Sequence, residues 1–406
     1  EKTFHGMTVD QSYWEEDNNG NYKRKFVSKE WITAEDRRTY KGFTFDPKVI
    51  GSSGHKYNHW RGYTYEPIDG MTLADAKKGC DKYLKHVLHV VCGGDVALYK
   101  WMMNHFAHLI QFPWKKPETA IVLQGGKGTG KSLTFDVIGG LVRDNYVVTA
   151  EKRMLLGNFN SHMETSLAFQ FEEAFWAGDK TAEGKLKHLV TGKSHMIERK
   201  GYEPYMVGNF ARIYITSNSD WVIPASVDER RFAMFRCSDA RQGDKAYFYA
   251  IFKQLKAGGG LGYRMLMTVL SLMDVDQTSV HVPPNTQALA EQKMQTFDPV
   301  AQWLFASLTD GSLEGTNSGF EEGDLWARSV PCKDAYAAYC EFGKAHGFRY
   351  PKSARNFGRE LQNILGLSVT RNRKTLRANR WYAYEFHYLD NCRLEFEKWF
   401  GQKMEW

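Results

Sequence analysis

Twelve consecutive residues, Ile121–Ser132 (IVLQGGKGTGKS), join an apolar run to a glycine-rich turn that ends on a lysine and a hydroxyl. Gly125, Gly130, Lys131 and Ser132 fall in the spacing G-x-x-x-x-G-K-[ST], the pattern of a loop that holds phosphate groups. Glycines let backbone N–H groups from Gly126, Lys127, Gly128 and Thr129 turn inward around an anion. A helix starting near Gly130 and running through Leu133 aims its positive dipole end at the same point. Lys131 supplies a mobile cation for β- and γ-phosphates, and the Ser132 hydroxyl suits Mg²⁺. Thr119–Gln124 reads as a buried strand, so strand, loop and helix arrive in the order this chemistry requires. ATP with Mg²⁺ is the expected ligand pair.

A bound triphosphate also needs acids to hold the metal and activate water. Ser166–Glu173 is a strand-like run ending in Glu172 and Glu173, with Glu172 41 residues after Lys131. That interval accommodates a helix, a return strand and a loop. Glu172 is expected to orient Mg²⁺ and Glu173 to act as general base. A second run, Ala211–Asn218, ends in an amide 45 residues after Glu173, placed to hold the attacking water and report the bound nucleotide. Arg230 and Arg231 follow, and an arginine here could stabilise transition-state charge at a neighbouring subunit's γ-phosphate. The bland alternative for them is surface ion pairing. Between the acids and the amide, His195–Glu198 and 202–207 can pair across Arg199-Lys200-Gly201. A hairpin tipped with Arg199 and Lys200 would grip a phosphate backbone without reading its sequence.

These residues need a scaffold, and 406 residues at 42% hydrophobic content can bury one large core or two to three smaller ones. The chain begins at Glu1 without a methionine, and we read it as part of a longer polypeptide. No apolar run approaches the roughly 18–20 residues of a membrane-spanning helix, and no signal peptide is visible. No membrane role is expected, and the expected location is the cytoplasm, that of the host cell if the protein is viral. The six cysteines never form C-x-x-C, which argues against a zinc site or disulfide framework. The formal charge of +7 is concentrated: residues 351–380 carry eight Lys or Arg against one Glu, a local excess of +7. Such a patch fits a polyanion partner, although a solvated charged face is the commoner meaning.

The coarse pattern gives an α/β protein in five parts. Residues 1–70 are aromatic-rich short strands and loops, and 71–115 form a helical collar, with Gly93-Gly94 stopping its first helix. His105 and His108 on the second collar helix are expected to be packing or surface histidines. Alternating strands and helices over 116–280 predict a mainly parallel sheet, followed by a helix and a flexible, glycine-dotted connection over 281–325. Over 326–406, amphipathic helices at Lys333–His346 and Ala354–Leu365 precede a basic ribbon, where Arg371, Arg373 and Lys374 are candidate DNA contacts. Two helices and a basic two-stranded ribbon resemble a winged-helix module.

GGKGTGKS, GNFNSHME (157–164), LAFQFEEAFWAGD (167–179), LKHLVTGKSHMIERKG (186–201), ITSNSDWVIP (215–224) and DERRF (228–232) together resemble a superfamily 3 helicase. The likeness is to the helicase part of phage and plasmid primase-helicase or primase-polymerase proteins, relatives of the poxvirus-type primase-helicases, and covers about 70–275 closely. It implies an AAA+ P-loop ATPase core, a homo-oligomeric, hexameric ring, ATP hydrolysis at subunit boundaries and 3′→5′ unwinding of forked DNA on a single-stranded track. By position, Lys131 and Ser132 match the Walker A pair, Glu172 and Glu173 the Walker B acids, Asn218 the sensor, and Arg230 or Arg231 the finger. Lys193, Arg199 and Lys200 fall in the DNA-gripping hairpin. Glu172 departs from the pattern, where Asp is common. No primase signature is present, so an N-terminal primase or polymerase domain would lie elsewhere in the longer chain. The rival expectations are a ring-forming initiator or loader, and a weakly active DNA-binding scaffold that tethers a primase.

Overall fold

The structure, a computed structural model, describes residues 11–406 except 53, 152–153, 155–156, 158–159, 174–179, 202, 224, 314–325, 349, 377–378 and 405. The chain divides into two compact units, 1–62 and 63–406.

In the first unit, β1 (Ser12–Glu16) and β2 (Tyr22–Phe26) pair antiparallel. The Asp17 carboxylate closes their turn by accepting the backbone N–H groups of Asn19 and Asn21, each at 3.0 Å. A short helix, Val27–Thr33, precedes the parallel pair β3 (Gly42–Thr44) and β4 (Lys56–Asn58). The buried Asn58 amide acts as a surrogate backbone: it donates to the carbonyls of Asp46 and Val49 and accepts from the Asp46 and Trp60 N–H groups.

The second unit begins at Tyr63, whose hydroxyl donates to the Ile110 carbonyl at 2.6 Å, a few residues before the boundary expected from composition. Its helical opening runs through Leu73–Gly79, Asp81–His86, a π-helical turn at Val87–Val91, and Val96–Gln111. Asp95 caps the last of these through the Ala97 and Leu98 N–H groups. The five core strands are β5 (Ala120–Gln124), β6 (Tyr146–Thr149), β7 (Ala168–Glu172), β10 (Arg212–Ser217) and β11 (Phe232–Arg236). The hairpin strands β8 (Ser194–Ile197) and β9 (Tyr205–Gly208) lie between β7 and β10 in sequence. The core sheet is wholly parallel in the order β11-β5-β10-β7-β6. Every residue of β5 and β10 is buried, as expected for strands covered on both faces. The chain leaves β5 for the far edge, returns strand by strand, then crosses β5 to its other side. That reversal opens a crevice at the carboxyl ends of β5 and β10.

One buried charge ties the helical opening to the sheet. Arg212, the first residue of β10, is fully buried and donates to the carbonyls of Phe112, Pro113, Lys115 and Phe210 at 2.6–2.9 Å. Three of those carbonyls lie just past the end of helix Val96–Gln111, where backbone acceptors lack helical partners. Burial lowers the guanidinium to about 10, so it stays charged at neutral pH.

After β11 comes Lys245–Leu272, broken at its glycines: Gly258, Gly259 and Gly260 all have positive φ. The C-terminal part then starts with Asp298 as N-cap and Pro299 as the first helical residue of Pro299–Asp310. The expected connection reaches Leu313 before 314–325, which lie outside the described residues. Beyond it, β12 (Ser329–Pro331), helices Cys332–Ala345 and Ala354–Leu365, β13 (Val369–Leu376), β14 (Asn379–Phe386) and helix Leu389–Phe400 surround a core of Trp303, Tyr339, Phe357 and Phe396. The two helices and the basic ribbon expected here are present, with β12 added as a third strand on β14.

Burial holds His105 down to about 3, while His86 and His195 sit at about 4, and all three are buried. The unfolded chain takes up these protons near the ordinary histidine value of about 6.5, before the folded one does. Stability is therefore present in full above about pH 6.5 and lost progressively as pH falls toward 4. Thermal unfolding midpoints should be level from pH 8 to 7 and decline below 6.5, and His105→Leu should decline less steeply. Replacing Arg212 by Leu should cost about 3–5 kcal/mol in urea unfolding, since it strips four carbonyls, one of them fully buried, of their donor.

Candidate functional site

The crevice at the carboxyl ends of β5, β7 and β10 holds a cavity of ≈ 500 Å³. It is lined by Lys127–Leu133, the two acids Glu172 and Glu173, and Thr216, Ser217 and Asn218. Gly125 and Gly126 complete the loop at its root, where their carbonyls accept from Lys131. Each strand ends at the level the ladder dictates: Gln124 pairs with Ser217, and Glu172 with Thr216. The residues just past those ends, Gly125, Glu173 and Asn218, therefore meet although they are far apart in sequence.

The loop itself needs glycine for a steric reason. Gly130 caps helix Lys131–Gly139 at φ 91°, and a Cβ there would come within 2.6 Å of both the His86 and Phe248 rings. The helix then offers the N–H groups of Lys131, Ser132 and Leu133, which have no carbonyl four residues back within the helix. His86 sits beneath the turn, its Nε2 3.3 Å from the Gly130 carbonyl and 3.2 Å from Thr134 Oγ1, with Nδ1 3.4 Å from the Tyr247 hydroxyl. Held at about 4 by burial, the ring is neutral at pH 7 and adds no charge to the loop.

Lys131 is only 8% exposed and uses all three ammonium donors: to the Gly125 and Gly126 carbonyls at 2.7 Å each and to Asn218 Oδ1 at 2.8 Å. Burial lowers its pKa, opposed by the nearby Cys237, Asp239 and Glu173. The same Asn218 amide donates from Nδ2 to Glu173 Oε1 at 3.1 Å. The amide accepts from the cation through its oxygen and donates to the carboxylate through its nitrogen, so the two contacts together orient it. Glu173 has φ 49°, a left-handed backbone unusual for a side-chain-bearing residue and a strain found preferentially at functional sites. Glu172 is half-buried and accepts from Gln170 Nε2 at 3.0 Å. Ser132 lines the same cavity.

Arg230 and Arg231 stand at the other edge of the sheet. The Ala120 N–H donates to the Arg231 carbonyl at 2.7 Å, level with the start of β5, whereas the loop leaves its end. Five strand residues separate the two edges by roughly 15 Å. Arg231 is tied to the buried Glu229 at 3.3 Å, which also accepts the Arg230 and Arg231 backbone N–H groups. Arg230 is exposed and has no ion-pair partner among the described residues.

The hairpin forms as expected, with Ser194–Ile197 against Tyr205–Gly208. Lys193 and Lys200 are exposed at its base and tip, while Arg199 is drawn into a salt bridge with Glu164. Asn160 braces the hairpin further, donating to the Met196 carbonyl and accepting the Glu198 N–H. Asn160 and Glu164 lie in the 157–164 motif, which the sequence alone left without a role. On the C-terminal ribbon, Arg371 and Arg373 face one side, opposite Tyr384 and Tyr382. Lys374 lies on the other, paired with Glu385 at 2.8 Å. The sequence also passed over His86, Gln242 and Phe248: their contacts with the loop come from other elements and leave no local spacing.

Loop, acids and amide at the switch point of a parallel sheet define the class: an α/β protein with a polar crevice at the carboxyl edge of its parallel sheet. A family profile described as a family of unknown function (DUF5906) matches residues 123–231, the segment that carries all of them. The chain is 22% identical over 258 residues to a DNA primase-polymerase of Nitratiruptor phage NrS-1, covering 62% of this chain. It spans 34% of that protein, about a third of its length. Two solved apo structures of the NrS-1 C-terminal region match with TM-scores of 0.63 and 0.64 at 15% identity, covering 95% of this chain and 98% of theirs. The fold is thus shared with that region over nearly the whole chain.

Gly130→Ala should disrupt the loop at a cost of about 1–3 kcal/mol, from positive-φ strain and the clash with His86 and Phe248. His86→Ala in the same chain should recover part of that loss, and a double-mutant thermal unfolding cycle measures it.

Proposed function

We propose that this chain is the ATP-driven motor of a phage-type replication protein: a superfamily 3, AAA+ helicase domain that hydrolyses ATP to move along single-stranded DNA. The observation that carries this is the Lys131–Asn218–Glu173 chain of hydrogen bonds, which links a phosphate-loop lysine to a carboxylate through one oriented amide. The similarity to a phage primase-polymerase supports a place in DNA replication, next to a primase or polymerase domain of a longer protein.

In this reading the triphosphate replaces the loop carbonyls and Asn218 as the acceptor for Lys131. Freed from the lysine, Asn218 can hold the attacking water, with Glu173 as the base that takes its proton. Ser132 and Glu172 fit Mg²⁺: a hydroxyl and a half-buried carboxylate border one cavity with the phosphate-loop N–H groups. The metal would supply Lewis-acid charge at the β- and γ-phosphate oxygens. Arg230, unpaired among the described residues and on the opposite edge from its own loop, suits a finger that completes a neighbouring subunit's site. That arrangement requires a homo-oligomer, and a hexameric ring around DNA is the expected form. Lys193 and Lys200 on the braced hairpin then grip the strand, and Arg199 positions the turn through Glu164. The C-terminal part serves as a winged-helix-like module.

Glu173→Gln should retain ATP binding while lowering turnover by about 10²-fold or more, as removal of a general base does. Unchanged turnover, read by phosphate release, would move the base elsewhere. Subunits carrying Arg230→Ala and Lys131→Ala should each be inactive alone, and mixing them should restore part of the DNA-stimulated ATPase. Arg231→Ala should instead lower the unfolding midpoint, because it leaves the buried Glu229 without its closest cation.

A further inference from the structure

The C-terminal part contains a cleft of ≈ 750 Å³ that the proposed motor does not use. Helix Ala354–Leu365 forms one wall, helix Cys332–Ala345 and the β13–β14 ribbon the other. Lys333, Arg355, Arg359 and Arg371 line it, and no acid does. None of these four makes an ion pair among the described residues. Arg371 packs over the Tyr382 ring at 4.2 Å, which leaves its charge uncompensated. The nearest acid on the helix, Glu360, is bound by Lys352 at 3.3 Å.

The helix faces are sharply divided. Phe357, Leu361, Ile364 and Leu365 are buried, while Arg355, Asn356, Arg359 and Asn363 are exposed. At 100° per residue these four cover one outward arc, spanning roughly 12 Å along the axis. Their side chains make no hydrogen bonds among the described residues. Gln362 shares the arc, but its amide is engaged with the Gly366 and Val369 carbonyls. Gly358 brings the helix close to the ribbon: a Cβ there would lie 2.4 Å from the Tyr384 hydroxyl. Arg371 consequently joins the helix arginines on one surface.

We infer that this surface binds double-stranded DNA, with the outer arc of helix Ala354–Leu365 entering the major groove. The flanking Lys333, Arg371 and Arg373 hold the phosphates. Arginine forks read guanine edges and asparagine amides read adenine edges, so the arc carries the side chains that distinguish base pairs. A helix some 10–12 Å across fits a groove about 12 Å wide. A single strand is the poorer fit, because it needs open aromatic platforms. Here Tyr384 is 6% exposed, the Tyr336 hydroxyl is spent on the Lys352 carbonyl, and the one exposed ring, Tyr382, has its face covered by Arg371 at 4.2 Å. A protein partner is poorer too, since the arc offers no apolar or aromatic anchor. The inference uses no nucleotide and stands apart from the ATPase site, so failure of either leaves the other intact.

Fluorescence anisotropy of the 406-residue chain, without nucleotide, tests it against a 20-base-pair duplex and one strand of that duplex. Arg355→Ala with Arg359→Ala should weaken duplex binding by about tenfold or more and single-strand binding by less than about twofold. The thermal unfolding midpoint should be unaltered, since both side chains are exposed. Selection from a random duplex pool should enrich a motif with the wild type and lose it with Asn356→Ala and Asn363→Ala. Arg355→Lys with Arg359→Lys, which keeps charge and stem, should retain the salt dependence of binding but lose the motif. Undiminished duplex affinity in the double-alanine chain, or equal losses on duplex and single strand, overturns the inference. So does a wild-type pool with no enriched sequence, or a surface that takes polyglutamate in preference to duplex.

Discussion

The ladder register of three parallel strands is the constraint on which the crevice depends. With Gln124 level with Ser217 and Thr216 level with Glu172, the chain turns off the sheet at Gly125, Asn218 and Glu173 within reach of one another. A slip of one residue would move a strand end by about 3.3 Å and turn its side chains to the opposite face. The strands cannot slip cheaply, because β5 and β10 are buried along their whole length and each apolar side chain has a fixed slot. Arg212 fixes the other end of β10, with four carbonyls satisfied by one buried guanidinium. Core packing thus sets the precision of a polar site that contributes little to the core itself.

The polar site is held in a compact state of its own. A buried ammonium must have its donors met, and Lys131 meets them with two loop carbonyls and Asn218. In the proposed function this arrangement is a resting state: an anion in the loop competes for the same lysine, and the amide it releases already touches Glu173. The strained backbone of Glu173 belongs to the same economy of space, since it turns the carboxylate back toward the amide at the strand end. Arg230 stays outside this circuit, at the opposite end of the sheet from the loop.

Basic residues that look alike in sequence have different physical situations in the fold. Arg199 and Lys200 are adjacent, yet Arg199 is locked to Glu164 while Lys200 is exposed at the turn. Arg373 and Lys374 are adjacent, yet strand alternation sends them to opposite faces, one toward the cleft side of the ribbon and one onto Glu385. Arg230 and Arg231 divide in the same way around Glu229. In each pair the carboxylate that makes the distinction comes from another part of the chain, or from a position whose direction only the fold determines.

The sequence by itself determined what depends on neighbours along the chain. The apolar run into Gly125–Ser132 and the hairpin around Arg199–Gly201 are both local patterns, and both are present. Strand ends carrying Glu172, Glu173 and Asn218 were legible because a buried parallel strand is a short apolar run that stops at its polar residue. What only the tertiary structure decided were the long-range pairings. The strand order β11-β5-β10-β7-β6, the Arg212 clasp, His86 beneath Gly130 and the bracing of the hairpin by Asn160 and Glu164 join residues far apart in the chain: 22 positions across β6–β7, 35 between Glu164 and Arg199, 44 between His86 and Gly130, and 112 across β5–β11. The tertiary structure also decided which member of each basic pair is left without an ion pair among the described residues: Lys200, Arg373 and Arg230. No spacing rule encodes such contacts, because which side chain meets a buried charge is fixed by packing in three dimensions.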